Sequence, residues 1–278
     1  MSTPPAPQHK PLKLAIAGLG AIGMGVARRV DQGAVPGIEL VAVAARDQAR
    51  ATNRVADFRH PPKVLSLLEL SETADIIVEC APASVFAKLA QPVLEKGLCL
   101  MPLSVGALLE RPDLVDIAQR SGARIIVPTG AVIGLDTVRA MAVGKIHSVT
   151  LQTRKPPAGL AGAPHLVNNG IDINSLEEPL CVLRGTAREA ALGFPANVNV
   201  AAALALAGIG ADETKVEVWA DPTIDRNIQA VTINSDSGEA TMVMKNIPSE
   251  ENPRTGRIVG NSVIATLRRL TSSLVAGT

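Results

Sequence analysis

Three glycines, Gly18, Gly20 and Gly23, limit the fold more than any other part of the sequence, because they directly follow the apolar run Leu14–Ala17 and open a stretch of helical period. In this spacing the first glycine makes a tight turn and the second lets a pyrophosphate approach the backbone. The third lets the following helix lie close to the strand. Ala21 and Ile22 then begin that helix, where unpaired N–H groups and the positive dipole end favour phosphate. A tight turn in an apolar hairpin would explain the glycines alone, but the strand before, the helix after and a second strand ending near Ala45 favour dinucleotide binding. Lys13 followed by an apolar run also has the look of a signal-peptide core, yet the fixed glycine spacing and the basic Arg28 and Arg29 account for it better.

From Leu12 onward, short apolar runs alternate with longer helical stretches. Strands are predicted at 14–17, 38–44, 63–65, 75–78, 98–101 and 124–127, with helices at 21–30, 84–95 and 108–120. The runs are apolar throughout rather than alternating, as expected of parallel strands covered on both faces. Six such strands make an α/β, doubly wound Rossmann sheet over residues 12–128, after a Pro-rich tail of residues 1–11. Over residues 129–256 the strand-like stretches 148–154, 215–220, 228–234 and 239–244 carry more polar alternation, so a second α/β (α+β) domain with a mixed sheet and one open face is expected there. Helices are predicted at 135–145, 186–193, 198–208 and 261–274, and residues 257–278 are set apart as a C-terminal helix.

Composition narrows the partners. The 27 basic and 26 acidic residues nearly cancel, and aromatics make up only 1% of the chain, which argues against nucleic acid, against anionic lipid and for a small ligand in a local pocket. Cys80, Cys99 and Cys181 are odd in number and widely spaced, so neither a disulfide framework nor a zinc site is expected, and a reducing, cytoplasmic compartment is the simpler reading. No apolar run reaches membrane-spanning length.

The second strand ends Ala44-Ala45-Arg46-Asp47, where an acidic residue would hold the ribose hydroxyls of NAD. Arg46 can instead fork onto a 2′-phosphate, which admits NADP; the alternative is that Arg46 faces solvent while Asp47 caps the next helix. Use of NAD or NADP follows as the expectation. Cys80 and Ala81 close the fourth strand at the rim where ligands gather, although a buried packing role serves Cys80 equally well.

Beyond this domain six segments become specific: SVGALLERPDL, VPTGAVIGLDTVRA, TRKPPAGLAG, FPANVNVAAALALAGIG, VWADPTIDRN and NIPSEENPRTG. In order and spacing they resemble the L-aspartate dehydrogenase family. The resemblance implies a Rossmann domain followed by an α/β domain whose sheet helps form a homodimer. It implies reversible oxidation of L-aspartate to iminosuccinate, and it places Ala131 and Asn199 beside the nicotinamide. Residue by residue this is sensible, since Pro128-Thr129-Gly130-Ala131 leaves the last Rossmann strand with small side chains, and Asn197 and Asn199 offer amides, or N-caps, at a helix start.

One match fails. The family's catalytic histidine lies in an Asn-x-His segment, whereas this chain reads Asn227-Ile228-Gln229. Glutamine offers an amide hydrogen bond but no proton near neutral pH. Other candidates for the chemistry are Lys155, for a substrate carboxylate or a proton, with Arg154 sharing its ambiguity, and His165 in a Gly- and Pro-rich loop. His147 is expected to be structural and His60 solvated. Two further readings stay open: a nicotinamide-dependent dehydrogenase for a different small carboxylate, aldehyde or imine, and a non-catalytic dinucleotide-binding redox sensor.

Overall fold

The computed structural model describes residues 10–195, 198–250 and 255–277. They form two compact units, one built from the chain up to Pro102 with Asp113–Ile126 and Ile264–Val275, the other mainly from Leu103–Pro112 and Val127–Val263.

The first unit begins with β1 (Leu12–Ala17), α1 (Ala21–Asp31), β2 (Ile38–Ala44), α2 (Gln48–Val55), β3 (Lys63–Leu65), β4 (Ile76–Glu79), α3 (Phe86–Glu95) and β5 (Cys99–Pro102). After α4 (Val105–Leu109), which belongs to the second unit, α5 (Asp113–Ser121) and β6 (Arg124–Ile125) complete it. Its strands are parallel in the order β3-β2-β1-β4-β5-β6, the doubly wound Rossmann arrangement expected from the sequence. Leu14, Ile16, Ile77, Leu100 and Met101 are fully buried, which is why these strands read as unbroken apolar runs. The predicted helix 108–120 is two helices instead. The chain breaks at Arg111-Pro112, where the proline ring excludes helical backbone for the residue before it. Asp47 caps α2, accepting from Arg50 N at 2.9 Å.

The second unit adds α6 (Leu135–Met141), β7 (Ile146–Lys155), α7 (Pro164–Asn168), β8 (Leu180–Thr186), α8 (Ala187–Gly193), α9 (Asn199–Ala207), β9 (Lys215–Ala220), β10 (Ile228–Ser235) and β11 (Gly238–Lys245). They form a mixed sheet in the order β11-β10-β7-β9-β8, with β7 and β9 parallel and the other pairs antiparallel. Edge strand β8 is absent from the sequence expectation because an irregularity between Cys181 and Leu183 breaks its period of two. Thr186 ends it and opens α8 through a reciprocal capping box with Glu189.

Strict alternation gives the sheet two unlike faces. Val149, Leu151, Val216, Val218, Val231 and Ile233 point into a core completed by α8 and α9. The opposite face carries polar residues and Trp219, over whose ring Arg154 lies 4.5 Å from the centroid. Small residues let α4 approach α9; a Cβ on Gly106 would fall 2.3 Å from Val198 Cγ1. The final helix, α10, spans Ile258–Thr271, and in its last turns Arg268 donates to the Ala34 carbonyl and Thr271 to that of Pro36.

Candidate functional site

The glycine loop joins β1 to α1, and its shape leaves each glycine a different reason for lacking a side chain. Gly18 has φ +98°, a conformation L side chains rarely adopt, and a Cβ there would lie 2.5 Å from the Cys80 carbonyl oxygen. A Cβ on Gly23 would fall 1.9 Å from the Gly18 carbonyl oxygen. Around Gly20, in contrast, no atom of the described residues beyond its own chain neighbours lies within 4 Å of that position. Packing thus requires Gly18 and Gly23, while the second glycine keeps open a space that the protein itself does not use. Gly20 is the N-cap of α1, no side chain caps the helix, and no acidic residue sits in its first turn, so its leading N–H groups, Ala21 and Ile22 among them, are not capped by a side chain and suit an anion. Arg54 steadies the loop by donating to the Leu19 carbonyl at 2.5 Å.

At the end of β2 the two alternatives for Arg46 and Asp47 separate. Asp47 is engaged as the cap of α2, and Arg46 is exposed. No carboxylate is therefore left at that strand end in the manner that favours NAD.

The rim at β4 holds a residue that the sequence reading passed over. Glu79 is fully buried, and its Oε1 accepts from Ala81 N at 2.9 Å, fixing the turn through Cys80. A lone charge closing an otherwise apolar strand was the available signal. Burial first, and the Glu79 charge second, hold the Cys80 thiol well above the ordinary thiol range, so Cys80 contributes shape and a carbonyl rather than a nucleophile.

In the second unit one end of the sheet gathers polar groups on the face that is elsewhere apolar. Lys155, the last residue of β7, is 7% exposed, Thr153 6% and Gln229 3%; Asn246, just beyond β11, is 2% exposed. Gln229 stands opposite Thr153 in the β7–β10 register. Burial pushes Lys155 down to about 8, within reach of proton exchange near physiological pH. Arg154 points the other way, to Trp219 and, at 3.3 Å, to Asp221. Although burial works against it, hydrogen bonds from Thr223 and Arg154 keep the Asp221 carboxyl below its ordinary value.

The remaining candidates sit apart from this cluster or carry a second duty. The Ala131 carbonyl accepts from Asn246 Nδ2 at 3.2 Å, a bond within the second unit that holds the Ala131 turn to the residue just beyond β11. Asn199 is the first residue of α9 rather than its cap, and its Oδ1 accepts from Gly106 N at 3.0 Å. Asn197 lies outside the described residues. His165 is on the short helix α7, not in a loop, with its ring tilted against Phe194 at 5.5 Å between centroids. His147 and His60 are exposed. Among the described residues no cluster of His, Cys, Asp and Glu has the make-up of a metal site.

Comparison with known proteins agrees with these two halves. Residues 136–270 match the family model described as aspartate dehydrogenase, C-terminal, and residues 18–128 match homoserine dehydrogenase, NAD binding domain. The chain is 52% identical to an L-aspartate dehydrogenase of Bradyrhizobium diazoefficiens, over 96% of this chain and 94% of that one. It is 50% identical to L-aspartate dehydrogenase 3 of Bordetella bronchiseptica, over 96% and 98% respectively. The crystal structure of aspartate dehydrogenase from Thermotoga maritima has the same fold, with a TM-score of 0.75 at 24% identity over 96% of this chain and 99% of that one.

Proposed function

The chain belongs to the L-aspartate dehydrogenase family, and from that premise we propose that it interconverts L-aspartate and iminosuccinate, which water converts to oxaloacetate and ammonia. NAD or NADP, when bound, would supply the two-electron acceptor for a hydride from the α-carbon, and the nitrogen would release a proton. The observation that carries this reading is a buried cation, Lys155, beside neutral Thr153 and Gln229 on one face of one sheet end. That combination suits a small anionic substrate whose charge must be met inside a dry site.

In the first unit Gly18, Gly20, Ala21, Ile22 and Gly23 would hold the pyrophosphate. The open space at Gly20 and the uncapped start of α1 fit that group. Cys80 and Ala81 shape the rim, and Arg46 would meet a 2′-phosphate. By the family resemblance Ala131 and Asn199 would lie beside the nicotinamide. In the second unit Lys155 would bind a substrate carboxylate and, with a pKa of about 8, is the group able to exchange a proton where the family uses histidine. Gln229 would orient the amine by an amide hydrogen bond. His165, set against Phe194, is the lesser candidate.

The departure at Gln229 supports a second reading, a dehydrogenase for another small carboxylate or imine on the same scaffold. Absorbance of the reduced nicotinamide separates the readings. L-Aspartate with NAD or NADP should produce it, and oxaloacetate with ammonia should consume it. Turnover only with another member of a small-carboxylate panel would favour the second reading, and tight cofactor binding without any turnover a redox sensor. We also assign the uncovered sheet face with Trp219 to a homodimer, to be checked by sedimentation. No helix among the described residues is long and apolar enough to cross a membrane, and the free thiols of Cys80, Cys99 and Cys181 suit a reducing cytoplasm.

A further inference from the structure

Three buried side-chain oxygens in the second unit have no hydrogen-bond partner: Thr153 Oγ1, Gln229 Oε1 and Asn246 Oδ1. More than nine in ten buried polar groups in folded proteins are paired, so such atoms require a physical reason. These three are not scattered. Thr153 and Gln229 are register partners on neighbouring strands, and Asn246 follows Lys245, which pairs with Ile228 at the same end.

Packing does not explain the Thr153 hydroxyl. The inward residues before it on β7 are Val149 and Leu151, and valine would fill the same volume without an unpaired oxygen. Its surroundings point instead to a ligand. Lys155 lies two residues on, on the same face and about 7 Å along the strand. A hydroxyl donor and an ammonium so placed match a carboxylate, whereas the unpaired Gln229 oxygen calls for a donor such as an amine N–H. An α-amino acid carries both groups.

We propose that Thr153 is a substrate-binding residue, its Oγ1 donating to a substrate carboxylate oxygen while Gln229 Oε1 accepts from the α-amino nitrogen. The proposal rests on the dehydrogenase reading above and adds a residue that fixes how the amino acid is held. A competing use of the hydroxyl is a single water in the small apolar pocket that Thr153 borders with Leu151, Phe194, Val198 and Val218.

The test compares wild type with Thr153→Val and Thr153→Ser by two routes. Steady-state kinetics with L-aspartate gives KM and kcat. Calorimetry with succinate, on protein saturated with reduced cofactor, reads carboxylate binding without turnover. Thr153→Val should raise KM and the succinate Kd ten- to a hundred-fold, with most of the loss in kcat/KM carried by KM. Its affinity for the nicotinamide cofactor should be unchanged and its Tm equal to or above that of wild type. Thr153→Ser should return both constants to within about threefold of wild type. Unchanged succinate affinity in Thr153→Val, with or without a changed Tm, would overturn the assignment in favour of the packing or water-holding role. If wild type binds succinate but does not turn over aspartate, the aspartate reading fails while the calorimetric comparison still decides Thr153. Wild type that binds no carboxylate overturns both.

Discussion

The carbonyl oxygen of Cys80 lies 2.5 Å from the place a Cβ would take on Gly18, so the turn after β1 and the rim after β4 are in direct contact. The atoms such a Cβ would meet are all backbone, of Cys80 and Ala81, and cannot move aside without dismantling a strand end. Gly18→Ala should therefore lower Tm sharply or prevent folding, the positive φ adding about 1–2 kcal/mol to the clash. Gly20→Ala should behave differently. It meets no protein atom and should cost at most about 1 kcal/mol at the helix start, yet weaken the cofactor at least tenfold. Thermal denaturation and nucleotide titration of the two variants check the contrast, and equal effects on nucleotide affinity and stability would remove Gly20 from the phosphate site.

Arg46 is exposed at the end of β2 while Asp47 is committed to α2. Arg46→Ala should raise KM for NADP by about one to two orders of magnitude, the worth of a hydrogen-bonded charge pair, and leave KM for NAD within threefold. Parallel saturation curves with the two cofactors provide the measurement.

Lys155 has a definite pH signature. Its folded pKa, about 8, lies below the ordinary 10.5, so between these values the unfolded chain holds more protons than the folded one. The buried charge costs stability fully below pH 8, and that cost is relieved as pH climbs from about 8 toward 10.5. Substrate binding runs in the opposite sense. KM for aspartate should rise as pH passes 8 and the cation is lost, and Lys155→Met should abolish that limb while raising Tm. A KM that stays level through this window would exclude Lys155 from carboxylate binding.

Gln229 is buried with an unpaired oxygen, so Gln229→Met should raise stability by about 1–3 kcal/mol while cutting kcat/KM. Gln229→His places an ionisable ring at the same strand position. Turnover should increase, within the hundred- to ten-thousand-fold range of general acid–base catalysis, and gain dependence on a group titrating near neutral pH. Denaturation curves and pH–rate profiles of both variants test this.

How much of this was legible beforehand depends on the kind of signal. The parallel sheet announced itself because Leu14, Ile16 and Ile77 are covered on both faces and leave no polar alternation to confuse the pattern. The glycine loop was legible because its spacing reports backbone geometry directly. Strand β8 was hidden by the irregularity at Cys181, and the break before Pro112 was missed because the apolar period continues through it. Gln229 and Lys155 stood out by resemblance and by charge. Thr153 and Glu79 did not, since their meaning lies in what surrounds them: a hydroxyl without a partner and a carboxylate seated under a backbone turn are facts of three dimensions. Local sequence also does not show which of Arg154 and Lys155, on opposite sides of one strand, is the buried one.

Oxygens left unpaired inside a protein have a bearing on its lifetime as well as its chemistry. An occupant that satisfies Thr153 and Gln229 would lift the folded state by mass action, about 2.7 kcal/mol at a hundred times its Kd. Proteases that cut transiently opened chains would then meet a tougher target while metabolite is plentiful and a softer one during starvation.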